Sequence, residues 1–377
     1  TQGNSTVEAA RILGLNAWAA FFRISIPTAR PAIVAGLSLA LMETLADFGT
    51  VAIFNYDTFT TAIYKAWFGL FNLQAASQLA SFLLILVVIA LTAERNLRGK
   101  AKYHEATRSS RVHRYQLTGW HRWAAVLTAS TILLIAFVVP VIQLGLWAWG
   151  VLSEDMDVRY ISMLTNTLML GGMAAVITVI GAMILAFTRR SHDDLVVRSS
   201  VNIATLGYAL PGSVLAVGIM LTFASIDNVL STMARLIGWQ SPGQILTGSV
   251  FALVIAYVVR FLAVAYGPID SGLSRIRASI AEAARGLGSS PAATLWRIYL
   301  PLLRPGLFTA ALLVLVDVMK EMPATMLLRP FGWDTLAVRI YEMTSEGEWE
   351  RAALPAITLI LVGLIPVIVL VRRSSKH

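Results

Sequence analysis

Four carboxylates stand where this chain is otherwise apolar. Glu43 and Asp47 fall in an apolar run near 32–54, and Asp317 and Glu321 in another near 306–328. Each pair is spaced by four, and the second pair repeats the first at an offset of 274 residues. Residues four apart share a helix face, so each pair would put two acids on one side of a helix. A carboxylate at mid-span costs roughly 2.5–3.5 kcal/mol, and such groups usually face protein or a water-filled path. Two matched acidic faces would favour a cation, and hard cations take oxygen ligands. An internal ion pair is the competing reading, because Lys320 adjoins Glu321 and lies three residues from Asp317.

The same offset relates two polar motifs. Glu8-Ala9-Ala10-Arg11 leads through Gly14 to Pro27, and Glu282-Ala283-Ala284-Arg285 leads through Gly288 to Pro301. From Glu8 to Pro31 against Glu282 to Pro305, 12 of 24 positions are identical. The chain is therefore an internal duplication. Ser5-x-x-Glu8 and Ser279-x-x-Glu282 fit a capping box that starts a short helix. Gly14 and Gly288 fit its left-handed end. Asn16 and Ser290 fit the N-cap of a second helix, and Pro291 its first turn. Pro27 and Pro301 are expected to stop that helix. A rigid docking surface built twice is the reading; an amphipathic anchor lying in the membrane interface is the alternative.

The elements that position these groups are membrane spans. Hydrophobic residues make up 57% of the chain, charged residues 14%, and mean hydropathy is +0.70. Soluble domains run at about 45–50% apolar and about 25% charged. About eight transmembrane helices fit, near 32–54, 75–93, 123–149, 161–188, 201–224, 245–267, 306–328 and 351–371. The expected fold is an all-α integral membrane protein, with Pro211-Gly212 marking a break or kink. With both motifs, 94–122, 189–200 and the tail on one side, that side holds 22 basic residues and the opposite loops five. Positive charge favours the cytoplasm, so the motif side faces inward. The net charge of +9 expresses this asymmetry, and the basic run Arg95 to Arg122 carries no nucleic-acid module.

No cysteine is present, which excludes disulfides and thiolate metal sites. None of His104, His113, His121, His192 and His377 belongs to a metal-binding pattern, and no phosphate-binding Gly-Lys-Ser/Thr loop occurs. No nucleophile–base constellation is visible. The chain reads as a conduit without catalytic residues, metal ligands or a cofactor of its own.

The pattern Glu-Ala-Ala, three residues, Gly, nine residues, Ile-x-Leu-Pro resembles the signature loop of permease subunits of binding-protein-dependent ABC importers. The second copy matches fully; the first has Ile26 in place of Leu. The stretches Glu43–Thr50, Lys320–Thr325, Leu327–Phe331 and Glu350–Pro355 resemble the fused, double-length ferric-iron permeases. The resemblance implies a coupling role for Glu8, Ala9, Gly14, Glu282, Ala283 and Gly288, against a cytoplasmic ATPase dimer carrying ATP and Mg. It implies a solute-binding protein outside, ferric iron as cargo and a bacterial inner-membrane location; Glu43, Asp47, Asp317 and Glu321 are the residues whose own pattern suits the lining of a cation path.

On this reading, residues 1–93 end a first permease repeat, N-terminally truncated by about four spans. Residues 94–122 form a basic cytoplasmic linker, and 123–377 a second six-span repeat with its coupling loop at 268–305. Six spans separate the motifs, so the repeats are parallel. The outer segments Asp57 to Tyr64 and Asp334 to Tyr341 match at an offset of 277. With Trp67 and Trp333 they suit either a docking face or an interfacial aromatic belt. Thiamine, a polyamine or an oxyanion are alternative cargoes, and an ion-coupled secondary transporter with a carboxylate proton relay is an alternative class.

The orientation is testable because the chain has no cysteine of its own. A cysteine placed in 94–122 is expected to react only with reagents that reach the cytoplasm, and one at Asp334 only from outside. Labelling of both from one face would reverse or break the topology.

Overall fold

The computed structural model describes residues 12, 14–98, 117–192, 194–238 and 243–374. Among these, all regular structure is helical. In chain order the elements are α1 (Ala17–Ala20), a π-turn (Phe21–Ser25), α2 (Ile26–Ala46), α3 (Gly49–Ile53), α4 (Phe59–Tyr64) and α5 (Leu73–Arg98). Then come α6 (Trp120–Leu133), α7 (Val139–Asp155), α8 (Val158–Ser191) and α9 (Leu195–Ala204). A 3₁₀ turn (Thr205–Ala209) leads into α10 (Gly212–Leu236), followed by α11 (Val250–Ser274) and α12 (Ala278–Gly286). The chain ends with α13 (Pro291–Thr294), a π-turn (Leu295–Tyr299), α14 (Leu300–Met319), α15 (Pro323–Leu328), α16 (Leu336–Ser345) and α17 (Trp349–Ser374).

Among the described residues seven helical stretches are long and apolar enough to cross a membrane, α6 and α7 together (Trp120–Asp155) counting as one, and an eighth span is formed if the bent helix 18–46 is counted. This is a multi-pass, all-helical membrane protein. The large apolar side chains on these spans are widely exposed, as Trp123, Leu127 and Ile184 are. In a bilayer that exposure meets lipid tails, where it costs nothing.

Packing divides the chain into two compact units, one of residues 1–45 with 84–140, the other of 46–83 with 141–377. In the second unit α8, α11 and α14 pack against one another around Leu170, Leu253, Tyr257, Ile269, Leu303 and Val314. Trp67 and Trp333 are half-buried against this core. Asp155 binds Arg351 at 2.6 Å, joining the end of α7 to the start of α17.

Several expectations about helix ends are corrected. The fifth span begins at Gly212, because the backbone unwinds through 205–211, so 201–224 is not one helix. The break at Pro211-Gly212 is where the sequence placed it. The prolines at 27 and 301 do not stop their helices. Each follows a π-turn in which the bond runs five residues back, Ile26 N–H to Phe21 O and Leu300 N–H to Leu295 O. Proline lacks an N–H and its ring clashes with the carbonyl four residues earlier; a wider turn removes both problems without ending the helix. In the first copy a further 63° bend falls between 30 and 32, at Pro31.

The short 3₁₀ segment packs against α11 so closely that a Cβ on Gly207 would lie 2.0 Å from the Val259 carbonyl oxygen. Only backbone movement could relieve that contact. Gly207→Ala is expected to destabilise the protein by about 1–3 kcal/mol, the usual cost of overpacking. Thermal melting in detergent measures it, and an unchanged midpoint would contradict the close approach.

Candidate functional site

The four acids do not form two helix faces. α2 ends at Ala46 and α14 at Met319, so Asp47 and Glu321 lie beyond the helices that carry Glu43 and Asp317. The two displaced acids do the same local work. Asp47 Oδ1 accepts the Thr50 N–H at 3.3 Å, and Glu321 Oε1 accepts the Ala324 N–H at 3.2 Å. Both thus bond the opening turn of the short helix that follows, α3 or α15. Their main-chain carbonyls also match, accepting from Thr60 at 2.7 Å and from Thr325 at 2.5 Å.

Glu321 has a second role. Its Oε2 lies 3.2 Å from Arg260 Nε, with side chains only 7% and 13% exposed. Arg260 Nη1 donates to the Leu210 carbonyl at 3.0 Å. The buried Tyr257 hydroxyl meets the Thr325 hydroxyl at 2.6 Å. A Cβ on Gly212 would lie 2.4 Å from the Glu321 carboxylate, so glycine leaves room for the pair. The sequence reading missed Arg260, which is 61 positions away from its partner and carries no local pairing signal. Lys320 binds Asp317 at 3.0 Å, as the competing reading allowed. Glu43 is exposed, Asp47 half-buried, and neither has an ion-pair partner among the described residues.

Beyond the breaks the duplicated segments Asp57 to Tyr64 and Asp334 to Tyr341 come together within the second unit. Tyr64 and Tyr341 occupy equivalent positions and meet edge to face at 5.9 Å between centroids. Phe48 packs against both, at 5.5 Å from Tyr64 and 5.3 Å from Tyr341. Burial, then the nearby Tyr341 and Glu342, pushes the Tyr64 phenol up to about 12; it stays a neutral hydrogen-bonding group near neutral pH. Two cavities adjoin the tyrosine pair. One of about 280 Å³ is lined by Phe48, Asp57 and Thr344 among others, and one of about 740 Å³ by Trp67, Arg329 and Glu342. Arg329 straps the second segment, binding Asp334 at 2.6 Å and Glu342 at 2.8 Å. Lys65 and Asp57 pair in the first. A larger cleft of about 1040 Å³ holds Arg159, Asn166, Arg329, Asp334 and the fully exposed Phe331.

Glu8, Ala9 and Ser5 lie outside the described residues, so the first capping box has no structural account. In the second copy α12 starts at Ala278, one residue before Ser279, so Ser279 is inside the helix and not its cap. The glycine elbows stand: φ is +88° at Gly14 and +82° at Gly288. Ser289 N–H bonds the Ala284 carbonyl at 2.9 Å, the six-to-one closure that accompanies a left-handed glycine. The next caps stand as well, Ala19 N–H to Asn16 at 2.7 Å and Ala293 N–H to Ser290 at 3.2 Å. Glu282, Ala283, Leu287 and Gly288 are exposed on the second loop.

The profile of the family described as binding-protein-dependent transport system inner membrane component matches residues 2–95 and 178–376. The chain belongs to this family. Among relatives of this permease, the Fe(3+)-transport system permease protein FbpB 2 of Haemophilus influenzae is 26% identical over 99% of this chain and 71% of its own. The ferric transport system permease protein FbpB of Actinobacillus pleuropneumoniae is 24% identical over 95% of this chain. A Salmonella typhimurium permease protein named for 2-aminoethylphosphonate transport is 31% identical over 41% of this chain. The permease spans 52–71% of the length of these three proteins. A bacterial alginate ABC transporter, solved with its periplasmic protein, has a chain with the same fold. That chain superposes on 68% of the permease, with a TM-score of 0.50 and 18% identity.

The Arg260–Glu321 pair yields a double-mutant cycle. Removing one partner of a buried pair costs about 3–5 kcal/mol, whereas replacing both by apolar groups is often nearly neutral. Glu321→Gln is expected to lower the detergent melting point strongly, and Arg260→Met with Glu321→Leu to restore most of it. Additive losses would show that the two residues act independently.

Proposed function

We propose that this permease carries ferric iron, delivered by a solute-binding protein outside, and is driven by ATP hydrolysed on a separate cytoplasmic ATPase dimer. The meeting of Tyr64 with Tyr341 carries the reading of a conduit. Equivalent residues that touch mark a local two-fold axis, and a path between parallel repeats runs along such an axis. The cavities beside the tyrosines then belong to its outer mouth. The cleft holding Arg329, Asp334 and exposed Phe331 suits the docking of a binding protein.

The acids divide by their partners. Asp317 and Glu321 carry their own cations, so in this proposal they shape the wall of the path more than its charge. Glu43 and Asp47 supply the field that draws a cation. The names of two relatives and this uncompensated acidity support iron as cargo. The Salmonella relative supports an anionic solute as the second reading. The loops bearing Glu8, Ala9, Gly14 and Glu282, Ala283, Gly288 are the ATPase docking sites, with ATP and Mg on the ATPase.

Uptake of radiolabelled ferric iron into vesicles holding the full-length protein and both partners tests the proposal. ATP-dependent uptake is expected, falling roughly tenfold in Asp47→Asn, the equivalent of about 1.4 kcal/mol. Gly288→Leu, which forces a side chain into a left-handed turn, is expected to insert normally and to hydrolyse ATP without moving iron. Uptake of 2-aminoethylphosphonate with no uptake of iron would replace the cargo. Full transport by Gly288→Leu would remove the docking role.

A further inference from the structure

We propose that Arg190 positions the second docking loop, tying both of its ends to the last turn of α8 so that movement of the loop reaches the membrane spans. This rests on the coupling reading of that loop. Arg190 Nη2 donates to the Ile276 carbonyl at 2.6 Å, and Nη1 donates to the Leu273 carbonyl. Within 268–305 the exposed docking segment is α12 with α13; Leu273 is in the final turn of α11 and Ile276 lies between α11 and α12, so both precede that segment. The same guanidinium lies over the Tyr299 ring, 5.3 Å from its centroid. Phe187, one turn earlier on α8, meets that ring edge-on at 5.2 Å. Tyr299 closes the π-turn that follows the loop. One helical turn therefore grips the chain before and after the docking segment.

The residue type matters here. A guanidinium is a planar fork that can serve two carbonyls and stack on a ring at once, whereas an ammonium is a point charge. The Leu273 carbonyl already accepts the Ile276 N–H at 3.2 Å, and the guanidinium adds a second donor there and complements the dipole of α11. The ring is not repeated in the first copy, where Ser25 stands at the position of Tyr299.

Arg190→Gln, Arg190→Lys and Tyr299→Leu in the full-length protein test the proposal with two readouts. Hydrogen exchange of 275–290 in the permease without its ATPase reports whether the loop is held. Solute moved per ATP hydrolysed in the assembled transporter reports whether the hold transmits. Arg190→Gln is expected to speed exchange about tenfold, as loss of hydrogen bonds to a charged group does locally, and to lower the transport ratio at least about threefold. Arg190→Lys should fall between. If Arg190→Gln does not fold, Tyr299→Leu, which leaves the carbonyl bonds in place, carries the test. Unchanged exchange would overturn the clamp. Faster exchange with an unchanged ratio would overturn transmission through Arg190, provided Gly288→Leu uncouples. If Gly288→Leu also stays coupled, the docking reading has failed and the proposal falls with it.

Discussion

The buried pair of Arg260 and Glu321 is the interaction on which the rest of the second unit depends. Spans can break only where the freed backbone groups find partners. Two breaks occur here, before Gly212 and after Met319. Arg260 donates to the carbonyl left by the first at Leu210, and Glu321 accepts from the N–H left by the second at Ala324. Each would be a costly buried charge alone; together they neutralise one another and serve both breaks. The pair is thus the price of unwinding two helices beside one another, and Gly212 supplies the space.

The duplication is legible at atomic detail. Each copy has a glycine elbow, a capped short helix, a π-turn ahead of proline, and an acid bonded to the opening turn of the short helix that follows. Each device satisfies local backbone needs, so it recurs wherever the local sequence recurs. Tyr64 against Tyr341 is different, because there the copies meet each other.

Features governed by near neighbours could be read in advance. The elbows at Gly14 and Gly288 follow from a conformation that other residues resist, and the caps at Asn16 and Ser290 from a three-residue reach. Long apolar spans such as Leu73–Ala93 follow from hydropathy. The ends of α2 and α14 were hidden, since Phe48, Met322 and Met326 are as apolar as the helices they follow. An acid three residues before Thr50 or Ala324 was the available capping signal, and it was read as a wall charge. Proline was read as a stop because its usual effect is to break a bond, whereas a π-turn leaves no bond to break. Arg260 was beyond reach, because its pairing with Glu321 exists only once α11 lies beside the break.

Alignment across repeats therefore identifies shared architecture before it identifies shared chemistry. Asp47 and Glu321 coincide because both copies break their helix at the same place. The informative positions are those where the copies differ. Asp317 has Lys320 at 3.0 Å, while the position matching Lys320 in the first copy is Ala46. Glu321 has Arg260, while Asp47 has no cation among the described residues. Lys320 and Arg260 thus compensate Asp317 and Glu321, while neither Glu43 nor Asp47 has an ion-pair partner among the described residues.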